Sequence, residues 1–360
     1  MKHLSIGSEW INAILRAFAN SGLDINAITH ELPGFDHTQF QSGQRLELSA
    51  ARQMWHRAAQ LSQDPLLGVK IGLSQDYRAV GVLAPVLWHS PTVREALNNI
   101  VRFQKLISES GVYHASEHHD ENMSVNAAPN SSANSSVTSG TNSAAHYIDY
   151  EYVPAANIVP VNPHQVLAVV TGTLGIIAGI SNLQVLPLQL QVPNTLNTKV
   201  IAKQLGCEVI TSSSNLILRF PCEHIDDELE GRDPHLYEIN KAYAEQLLRS
   251  KNEGEVLIDT VKNIIAKCGY GASSMDDVQA SLGIHKRALQ RHLSEQGTSF
   301  RLLKEEVLKE QCVKKLMLEK QDIESIAQTL GYSEPSAFHR AFKAWFGVTP
   351  KQFSHPDQTK

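Results

Sequence analysis

The sequence predicts an α+β domain over residues 1–248, followed by an all-α domain over residues 255–354. Two segments of the C-terminal region, 275–297 and 323–347, each contain an amphipathic helix, a glycine turn and a second amphipathic helix. In the N-terminal region, helical periodicity instead alternates with short stretches of period-two alternation, which is typical of mixed helices and strands. A length of 360 residues also fits more than one domain.

The N-terminal region is predicted to contain more helices than strands. Helical patterns recur at residues 5–30, 48–61, 93–107, 166–180, 200–205 and 234–248. Strand patterns occur at 112–119, at 146–153, at 186–192, and in a pair at 209–210 and 216–220 that is expected to join around a turn. In the helix over 234–248, we expect five residues to face the interior, namely Leu236, Ile239, Tyr243, Leu247 and Leu248.

Three segments are predicted to lie outside the ordered parts of these domains. Residues 121–145 contain seven Ser, five Asn and no aromatic residue, so this segment cannot bury enough apolar surface to become ordered. We interpret it as a disordered insert between two strands, and more simply as a tolerated surface insertion than as a contact site. The polar run RSKNEG at 249–254 is a candidate linker, and residues 355–360 form a tail.

Composition predicts a cytoplasmic protein that does not associate with membranes. No run of 18 apolar residues exists, and the N-terminus lacks the apolar core of a signal peptide. The four cysteines, Cys207, Cys222, Cys268 and Cys312, are far apart and show no Cys-x-x-Cys spacing. This arrangement favours reduced thiols over disulfides or a zinc site.

The charge of the chain is divided unequally between its two parts. Residues 255–360 contain 15 Lys+Arg and 13 Asp+Glu, while residues 1–254 contain 17 Lys+Arg and 24 Asp+Glu, within a net charge of −5. This asymmetry suggests two bodies with different partners. Because the C-terminal excess of positive charge is small, any binding of DNA must depend on where the charges lie.

The second helix of each C-terminal repeat carries side chains suited to reading base edges. In the first repeat, Leu289 and Leu293 are expected to pack inward, which leaves on the outer face Arg287, Gln290, Arg291 and Ser294. In the second repeat, the outer face holds Ser336, His339, Arg340 and Lys343. Arg and Gln can make bidentate contacts to guanine and adenine in the major groove. Two such helices, each following a glycine turn, therefore predict DNA binding rather than a merely solvated surface.

The spacing of the two repeats agrees with binding along one side of a duplex. A helical run from 298 to 320 separates them, and its 23 residues would span about 34 Å at ~1.5 Å per residue. This length is close to one turn of B-DNA, so the two second helices could enter successive major grooves. Helix caps are expected at Ser273 or Ser274, at Asp322 and at Ser333.

The segments GYSEPSAFHRAFK at 331–343 and FGVTP at 346–350 resemble the signature of the AraC/XylS family of bacterial transcriptional regulators. This resemblance covers about residues 257–354. The N-terminal region is similar to the arabinose-binding-type effector domain of one branch of that family. That similarity is carried by SPTVREAL at 90–97, LGCEV at 205–209 and NLIL at 215–218.

The resemblance implies a regulator whose N-terminal domain senses a small molecule or dimerises. The partners that it implies are double-stranded DNA, a small effector, a second copy of the chain, and RNA polymerase if the protein is an activator. It also implies base contacts from Arg287, Gln290 and Arg291 in the first repeat and from Arg340 in the second.

The first repeat and its neighbourhood depart from the family pattern at three positions. The family usually has a small Ala where Gln279 stands, a capping Ser where His285 stands, and an Arg where Leu308 stands. Loss of a Ser cap costs about 1 kcal/mol of helix stability. We therefore expect the first repeat to be less well ordered by itself than the second.

Other classes of function receive less support from the sequence. No Gly-x-Ser-x-Gly, P-loop, Gly-x-Gly-x-x-Gly or His-Glu-x-x-His pattern occurs, so neither an enzyme nor a cofactor is expected. A DNA-repair alkyl acceptor would need a reactive cysteine cluster, which the cysteine spacing does not offer. A metal-responsive regulator remains an alternative, because four histidines flank the insert: His114, His118, His119 and His146. The effector is expected to be largely apolar, such as a fatty acid, an aromatic compound or an amino acid derivative.

Overall fold

The computed structural model describes residues 4–33, 35, 41, 43–120, 145–157, 159–181, 187–193, 197–212, 216–267, 273–319, 321–332 and 334–354. The chain divides into two compact units, Lys2–Gln246 and Leu247–Lys360. The first unit combines helices and strands and the second is helical, which confirms the predicted fold class. Most of the predicted insert (121–144) and the predicted tail (355–360) lie outside the described residues.

The N-terminal unit contains two sheets. A small antiparallel sheet pairs β1 (Ser5–Gly7) with β2 (Arg45–Glu47). The larger sheet has the strand order β3-β4-β7-β5-β6, with β3 at Gly111–Asp120, β4 at Ala145–Pro154, β5 at Gln189–Pro193, β6 at Glu208–Ser212 and β7 at Leu216–Pro221. Neighbouring strands of this sheet are antiparallel to each other, except for β5 and β6, which are parallel.

The hairpin expected from the patterns at 209–210 and 216–220 is wrong, because β5 lies between β6 and β7. A parallel pair cannot be joined by a tight turn and needs a crossover connection. Here the crossover from β5 to β6 is the helix α8 (Thr198–Leu205). Strand patterns in the sequence locate each strand, but they do not show which strands pair.

Seven helices precede α8 in the described part of the N-terminal unit. They are α1 (Ser8–Asn20), α2 (Ile25–Thr29), α3 (Leu48–Ser62), α4 (Leu67–Leu73), α5 (Ala84–Trp88), α6 (Val93–Ile107) and α7 (Pro163–Ile180), with a 3-10 segment at Tyr77–Leu83. The helical pattern expected over 5–30 forms two helices, α1 and α2. Residues 5–7 form β1 instead and pair with β2. Gly22, with a φ of 79°, lies in the turn that follows α1.

The helix α7 lies in the core of the N-terminal unit. It is long enough and apolar enough to cross a membrane, with a mean hydropathy of 1.5, but 72% of it is buried within the protein, as in a core helix. Glycines of α4 allow this close packing. A Cβ atom at Gly68 would collide with the backbone of His164, and one at Gly72 would collide with Thr171 and the backbone of Ala168.

One helix passes through the boundary between the two compact units. This helix, α9, extends over Pro234–Lys267, and the boundary falls between Gln246 and Leu247. The candidate linker at 249–254 is therefore helical. A lone glycine costs a helix only about 1 kcal/mol relative to Ala. Gly254 also leaves space in which the side chain of Gln296 lies against α9.

The phase of α9, meaning which of its side chains face the interior, differs from the expected one. Leu236, Ile239 and Tyr243 were expected to face the interior, but they are 42%, 53% and 53% exposed, while Tyr237 and Ala244 are buried. A polar network sets this phase. The Tyr237 hydroxyl accepts a bond from Asn99 Nδ2 (3.0 Å) and donates to Glu95 Oε1 (2.6 Å), which also accepts from Lys241 Nζ (2.9 Å).

The C-terminal unit contains the two predicted repeats. The first comprises α10 (Met275–Leu282) and α11 (Lys286–Glu295), and the second comprises α13 (Ile323–Thr329) and α14 (Pro335–Phe346). Between them lie α12 (Phe300–Val313) and a π-helical turn at Lys314–Leu318, and α15 (Pro350–Ser354) follows the second repeat. Each repeat has its own apolar cluster, the first built around Leu289 and Leu293 and the second around Phe338 and Phe342.

The helical run that joins the repeats is shorter than expected. It extends over 300–318 rather than 298–320, because Gly297 has a φ of 70° and Ser299 caps α12 by accepting a bond from the Leu302 amide (3.3 Å). At ~1.5 Å per residue, this run spans at most about 28 Å. The length of the run therefore gives weaker support to binding in successive grooves than the sequence suggested.

Arg52 in α3 provides a test of the N-terminal core. It is 1% exposed, and its guanidinium donates to the carbonyl oxygens of Val159 (2.7 Å) and Ala155. The change Arg52→Ala would leave a cavity and two partly buried carbonyls without these donors. We expect it to lower the free energy of unfolding by about 3 kcal/mol. Denaturant unfolding followed by tryptophan fluorescence measures this loss.

The fluorescence signal is suited to this test, because Trp10, Trp55 and Trp88 lie in the same unit as Arg52. Arg78→Ala is the matched control. The Arg78 side chain is 76% exposed and pairs only locally, with Asp76, so we expect a change below about 0.5 kcal/mol. Equal unfolding midpoints for both variants would show that the Arg52 contacts do not stabilise the unit.

Candidate nucleic-acid interface and effector cavity

The first helix of each repeat begins with a cap that the sequence predicted. Ser274 and Asp277 form a capping box on α10, in which the Asp277 amide donates to Ser274 Oγ (3.2 Å) and the Ser274 amide donates to Asp277 Oδ2 (2.7 Å). These bonds hold the pKa of Asp277 below its usual range. On α13, Asp322 Oδ1 accepts from the Ser325 amide (2.9 Å). Both helices therefore start at defined positions.

The second helices lack side-chain caps of this kind. His285 precedes α11 and its side chain makes no capping bond, as its departure from the family pattern implied. Glu334 precedes α14 without a side-chain cap, and Pro335 occupies the first turn, where its missing N–H does no harm. The predicted cap Ser333 lies outside the described residues.

In the first repeat, burial separates the two faces of α11. Leu289 and Leu293 are fully buried against neighbours that include Val278 and Val307. The four predicted contact residues are all exposed: Arg287, Gln290, Arg291 and Ser294. The stripe of leucines therefore presents these polar side chains to solvent on the opposite face.

Local ion pairs distinguish the cations of α11. Arg291 Nε lies 3.6 Å from Glu295 Oε1, and Lys286 Nζ lies 3.1 Å from Asp276 Oδ1. Arg287 makes no ion pair within the described part of the chain. Exposed pairs of this kind contribute about 0–1 kcal/mol, so a phosphate can replace either carboxylate at little cost.

The second repeat has the same division of faces. Phe338 and Phe342 of α14 are 1% and 0% exposed, and their rings meet edge to face at 5.9 Å. The four predicted contact residues are again exposed: Ser336, His339, Arg340 and Lys343. Among described residues, Arg340 and Lys343 have no acidic partner, so both positive charges are available to a nucleic acid.

Leu308 shows what one departure from the family pattern does. It lies on α12 and packs against the apolar cluster of the second repeat, together with Ile323 and Tyr332. An arginine at this position would bring a charge to the edge of that cluster. In this chain, the connecting helix therefore stabilises the second repeat by apolar packing.

The N-terminal unit contains a cavity that the sequence did not locate. Its cavity volume is about 50 Å³, and the empty space reaches about 450 Å³ when the part that is open to solvent is included. Apolar walls come from several helices and include Trp10, Val80, Ile100, Ile107, Val169 and Ile176. Polar lining atoms belong to Gln104, Ser108, Ser110, Tyr113, Tyr152 and Thr173, and none of the described residues that line the cavity is charged.

The polar groups of the cavity already have partners within the protein. The hydroxyl of Tyr113 lies 3.0 Å from Thr173 Oγ1, and that of Tyr152 lies 2.9 Å from Ser110 Oγ. Gln104 Oε1 accepts from the Tyr113 amide at 2.6 Å. Burial raises the pKa of Tyr113 and raises that of Tyr152 to about 12, so both remain neutral. The cavity is thus uncharged and mainly apolar.

The four histidines considered for a metal site do not form one cluster. His119 and His146 are paired across β3 and β4 and their rings stack at 3.9 Å. His118 stacks on Tyr147, and His114 lies opposite Glu151, further along the ladder. A different group, Glu117, His146 and Cys222, does bring its side-chain donor atoms within 4.8 Å of one another.

An all-α unit with two helix-turn-helix repeats, each exposing a polar second helix, is the architecture of a DNA-binding domain. Residues 22–148 match the arabinose-binding domain of AraC transcription regulators, and residues 279–355 match a helix-turn-helix domain. The chain therefore combines an AraC-type arabinose-binding domain with a helix-turn-helix domain, in agreement with the resemblance of its sequence to the AraC/XylS family.

Curated relatives carry names of the same kind. The chain is 31% identical over 137 residues to an uncharacterized HTH-type transcriptional regulator of Mycobacterium tuberculosis, covering 38% of this chain and 40% of the relative. It is 25% identical over 136 residues to the ornithine utilization regulator of Pseudomonas aeruginosa, which again covers 38% of this chain and 40% of the relative. The matched region thus spans about 40% of the length of these relatives.

Among solved structures, the transcriptional regulator CdpR from Pseudomonas aeruginosa aligns over 96% of this chain and 97% of its own. The sequence identity is 15% and the TM-score is 0.44.

Proposed function

We propose that this protein is a cytoplasmic transcription regulator that binds double-stranded DNA through α11 and α14 and binds a small, largely apolar effector in its N-terminal unit. The observation that carries this proposal is the pair of second helices. Each buries an apolar stripe and presents arginine on the opposite face. The family models and relatives belong to transcription regulators rather than enzymes, which supports the same class.

The proposed division of labour follows the two compact units. Residues 1–248 sense the effector and residues 255–354 contact DNA. Base edges are read by Arg287, Gln290 and Arg291 in the first repeat and by Arg340 in the second. Ser294, Ser336, His339 and Lys343 contact the backbone or base edges beside them. If the protein is an activator, the DNA-bound form also contacts RNA polymerase.

Arginine substitutions test the DNA interface. We expect Arg340→Ala to abolish specific binding, with a loss of about 30-fold or more. Arg287→Ala should weaken binding about 10-fold and relax specificity in one half-site only, since a bidentate contact contributes about 1–3 kcal/mol. A binding site selected from random duplexes, followed by anisotropy titrations across its variants, measures both effects.

The control for this test is Arg16→Ala, which removes an exposed arginine from α1 in the N-terminal unit. It should leave both affinity and specificity unchanged. Equal losses for Arg340→Ala and Arg287→Ala at every variant of the site would contradict the proposed ranking of the two repeats. Loss of binding by the control would contradict the assignment of the interface itself.

The cavity is the proposed effector site, and Val169→Phe tests it. Val169 lies on α7 and lines the cavity, so a larger side chain should fill the space that a ligand would occupy. Medium-chain fatty acids, aromatic acids and amino acid derivatives form the ligand panel. A compound bound by the native state must raise the melting temperature. We expect one class to do so for the natural protein but not for Val169→Phe.

Val161→Phe is the control for the effector test, because Val161 is 40% exposed and does not line the cavity. It should keep the full shift in melting temperature. An equal shift in Val169→Phe and in the natural protein would place the effector elsewhere.

A homodimer is the proposed assembly, and the exposed face of α9 is its proposed interface. Leu236, Ile239 and Tyr243 lie on one face of the helix and are about half exposed. Charged neighbours are already paired within the chain, Lys241 with Glu95 (2.9 Å) and Arg102 with Glu245 (2.6 Å). An apolar contact between two copies would therefore leave these charges neutralised.

We expect Ile239→Glu to convert the dimer to a monomer without unfolding it, since the side chain is exposed in the single chain. Sedimentation velocity measures the change. Leu61→Glu, at a residue that is 51% exposed on α3, is the matched control and should remain dimeric. Monomeric Leu61→Glu or dimeric Ile239→Glu would contradict this interface.

A further inference from the structure

Three neighbouring strands bring chemically different side chains together at one end of the larger sheet. Glu117 lies on β3 and His146 on β4, and Cys222 directly follows β7. The Cys222 amide donates to the His146 carbonyl at 3.0 Å, which keeps the two residues side by side. Because β3, β4 and β7 are neighbouring strands, the three residues lie side by side across the sheet.

The donor atoms of the three side chains lie almost as close together as the ligand atoms of a bound metal ion. His146 Nε2 lies 2.6 Å from Glu117 Oε1, and Cys222 Sγ lies 3.7 Å from the same oxygen. All three atoms lie within 4.8 Å of one another. Tetrahedral zinc bonds of ~2.0–2.3 Å place their ligand atoms about 3.6 Å apart. Small rotations of these partly exposed side chains would therefore suffice.

The ring of His146 is held in a position that suits coordination. It stacks on His119 with centroids 3.9 Å apart and an angle of 20° between the planes. Its Nε2 atom is shielded from water, and although it lies close to Glu117 it makes no hydrogen bond of acceptable geometry with a described residue. A cation between the three side chains would satisfy this nitrogen.

The charges around the cluster also suit a divalent cation. Arg94 is engaged by Asp226 through two bonds, from Nε (2.6 Å) and from Nη2 (2.9 Å), and its Nη1 lies 3.4 Å from Glu117. Arg94 also hydrogen-bonds Cys222, but Asp226 balances its positive charge, which leaves the Glu117 carboxylate and, on metal binding, the Cys222 thiolate. Their two negative charges would balance one divalent ion.

We propose that Glu117, His146 and Cys222 bind a single Zn²⁺ ion, with water as a fourth ligand. Sulfur, imidazole nitrogen and carboxylate oxygen are the donors that zinc prefers, and three protein ligands leave one position open. The Cys222 proton is released to solvent when the ion binds. This site differs from the histidine cluster that the sequence indicated, because its sulfur ligand lies 76 positions beyond His146 in the chain.

Cobalt binding to the untagged full-length protein tests the proposal. Co²⁺ replaces zinc in tetrahedral sites, and a thiolate ligand gives it a charge-transfer band in the near ultraviolet. We expect one Co²⁺ per chain with this band, displaced by one equivalent of Zn²⁺. Cys222→Ser should abolish the band and weaken zinc binding at least about 100-fold. His146→Ala and Glu117→Gln should each weaken zinc binding at least about 10-fold.

Cys207→Ser and His114→Ala are the matched controls, because each removes the same type of ligand from outside the cluster. Both should keep the band and the natural zinc affinity. A thiolate band that survives in Cys222→Ser, or that disappears in Cys207→Ser, would overturn the proposal. So would a natural protein that binds neither ion at micromolar concentrations. If Cys222→Ser fails to fold, the zinc affinities of His146→Ala and Glu117→Gln decide the question.

Discussion

The burial of a few apolar side chains on α11 and α14 determines what the C-terminal unit can do. An α-helix advances about 100° per residue, so a stripe that is packed inward leaves only the opposite face for polar groups. Leu289 and Leu293 are completely buried, and Phe338 and Phe342 nearly so. Burying each such side chain stabilises the fold by about 1.5–3 kcal/mol. Rotating either helix would expose this stripe and bury arginine, which costs several kcal/mol more.

This constraint explains why departures from the family pattern affect stability more than orientation. The missing cap at His285 lowers the stability of α11 by about 1 kcal/mol, but it does not alter which residues face inward. Gln279 lies on the capped helix α10, where it is partly buried. The outward direction of Arg287 is therefore fixed by the leucines of its own helix, whatever the strength of its cap.

Local rules made much of the C-terminal unit predictable. Gly283 and Gly331 follow the first helix of each repeat with φ values of 65° and 83°, which favour glycine over other residues. Ser274 and Asp322 cap where their side chains reach the amides three positions later. Each of these features depends on residues within a few positions of one another, so the sequence alone is enough to predict it.

Features that depend on distant residues could not be predicted in the same way. The phase of α9 is set by Tyr237, whose hydroxyl bonds to residues about 140 positions earlier, Glu95 and Asn99. The neighbour of β6 is β5 because α8 provides a crossover, which strand patterns alone do not reveal. Cys222 shares no spacing motif with His146, although their backbones are hydrogen-bonded.

The properties of the cavity restrict the chemistry of the proposed effector. Its hydroxyl groups are occupied by bonds to one another, and Tyr152, with its pKa raised to about 12, stays neutral. A charged group inside would lose its hydration without gaining a counterion. The inserted part of a ligand must therefore be apolar, whereas a carboxylate can remain at the side that opens to solvent.

One face of the β3–β4 ladder extends from the cavity to the residues of the proposed zinc site. Side chains alternate between the two faces of a strand, so Tyr113 and Glu117 on β3 lie on the same face. Their ladder partners place Tyr152 and His146 of β4 on that face as well. The face is buried at the cavity end and exposed at the Glu117 end.

The cavity and the contact between Glu117 and His146 consequently depend on one strand register, that of β3 and β4. A slip of one residue between β3 and β4 would turn one set of side chains to the opposite face. Tyr113 would then no longer meet Tyr152, and Glu117 would no longer meet His146. Apolar packing around the cavity resists such a slip, because Tyr113 and Tyr152 are 6% and 3% exposed. The burial that forms the cavity thus also keeps Glu117 beside His146 at the other end of the ladder.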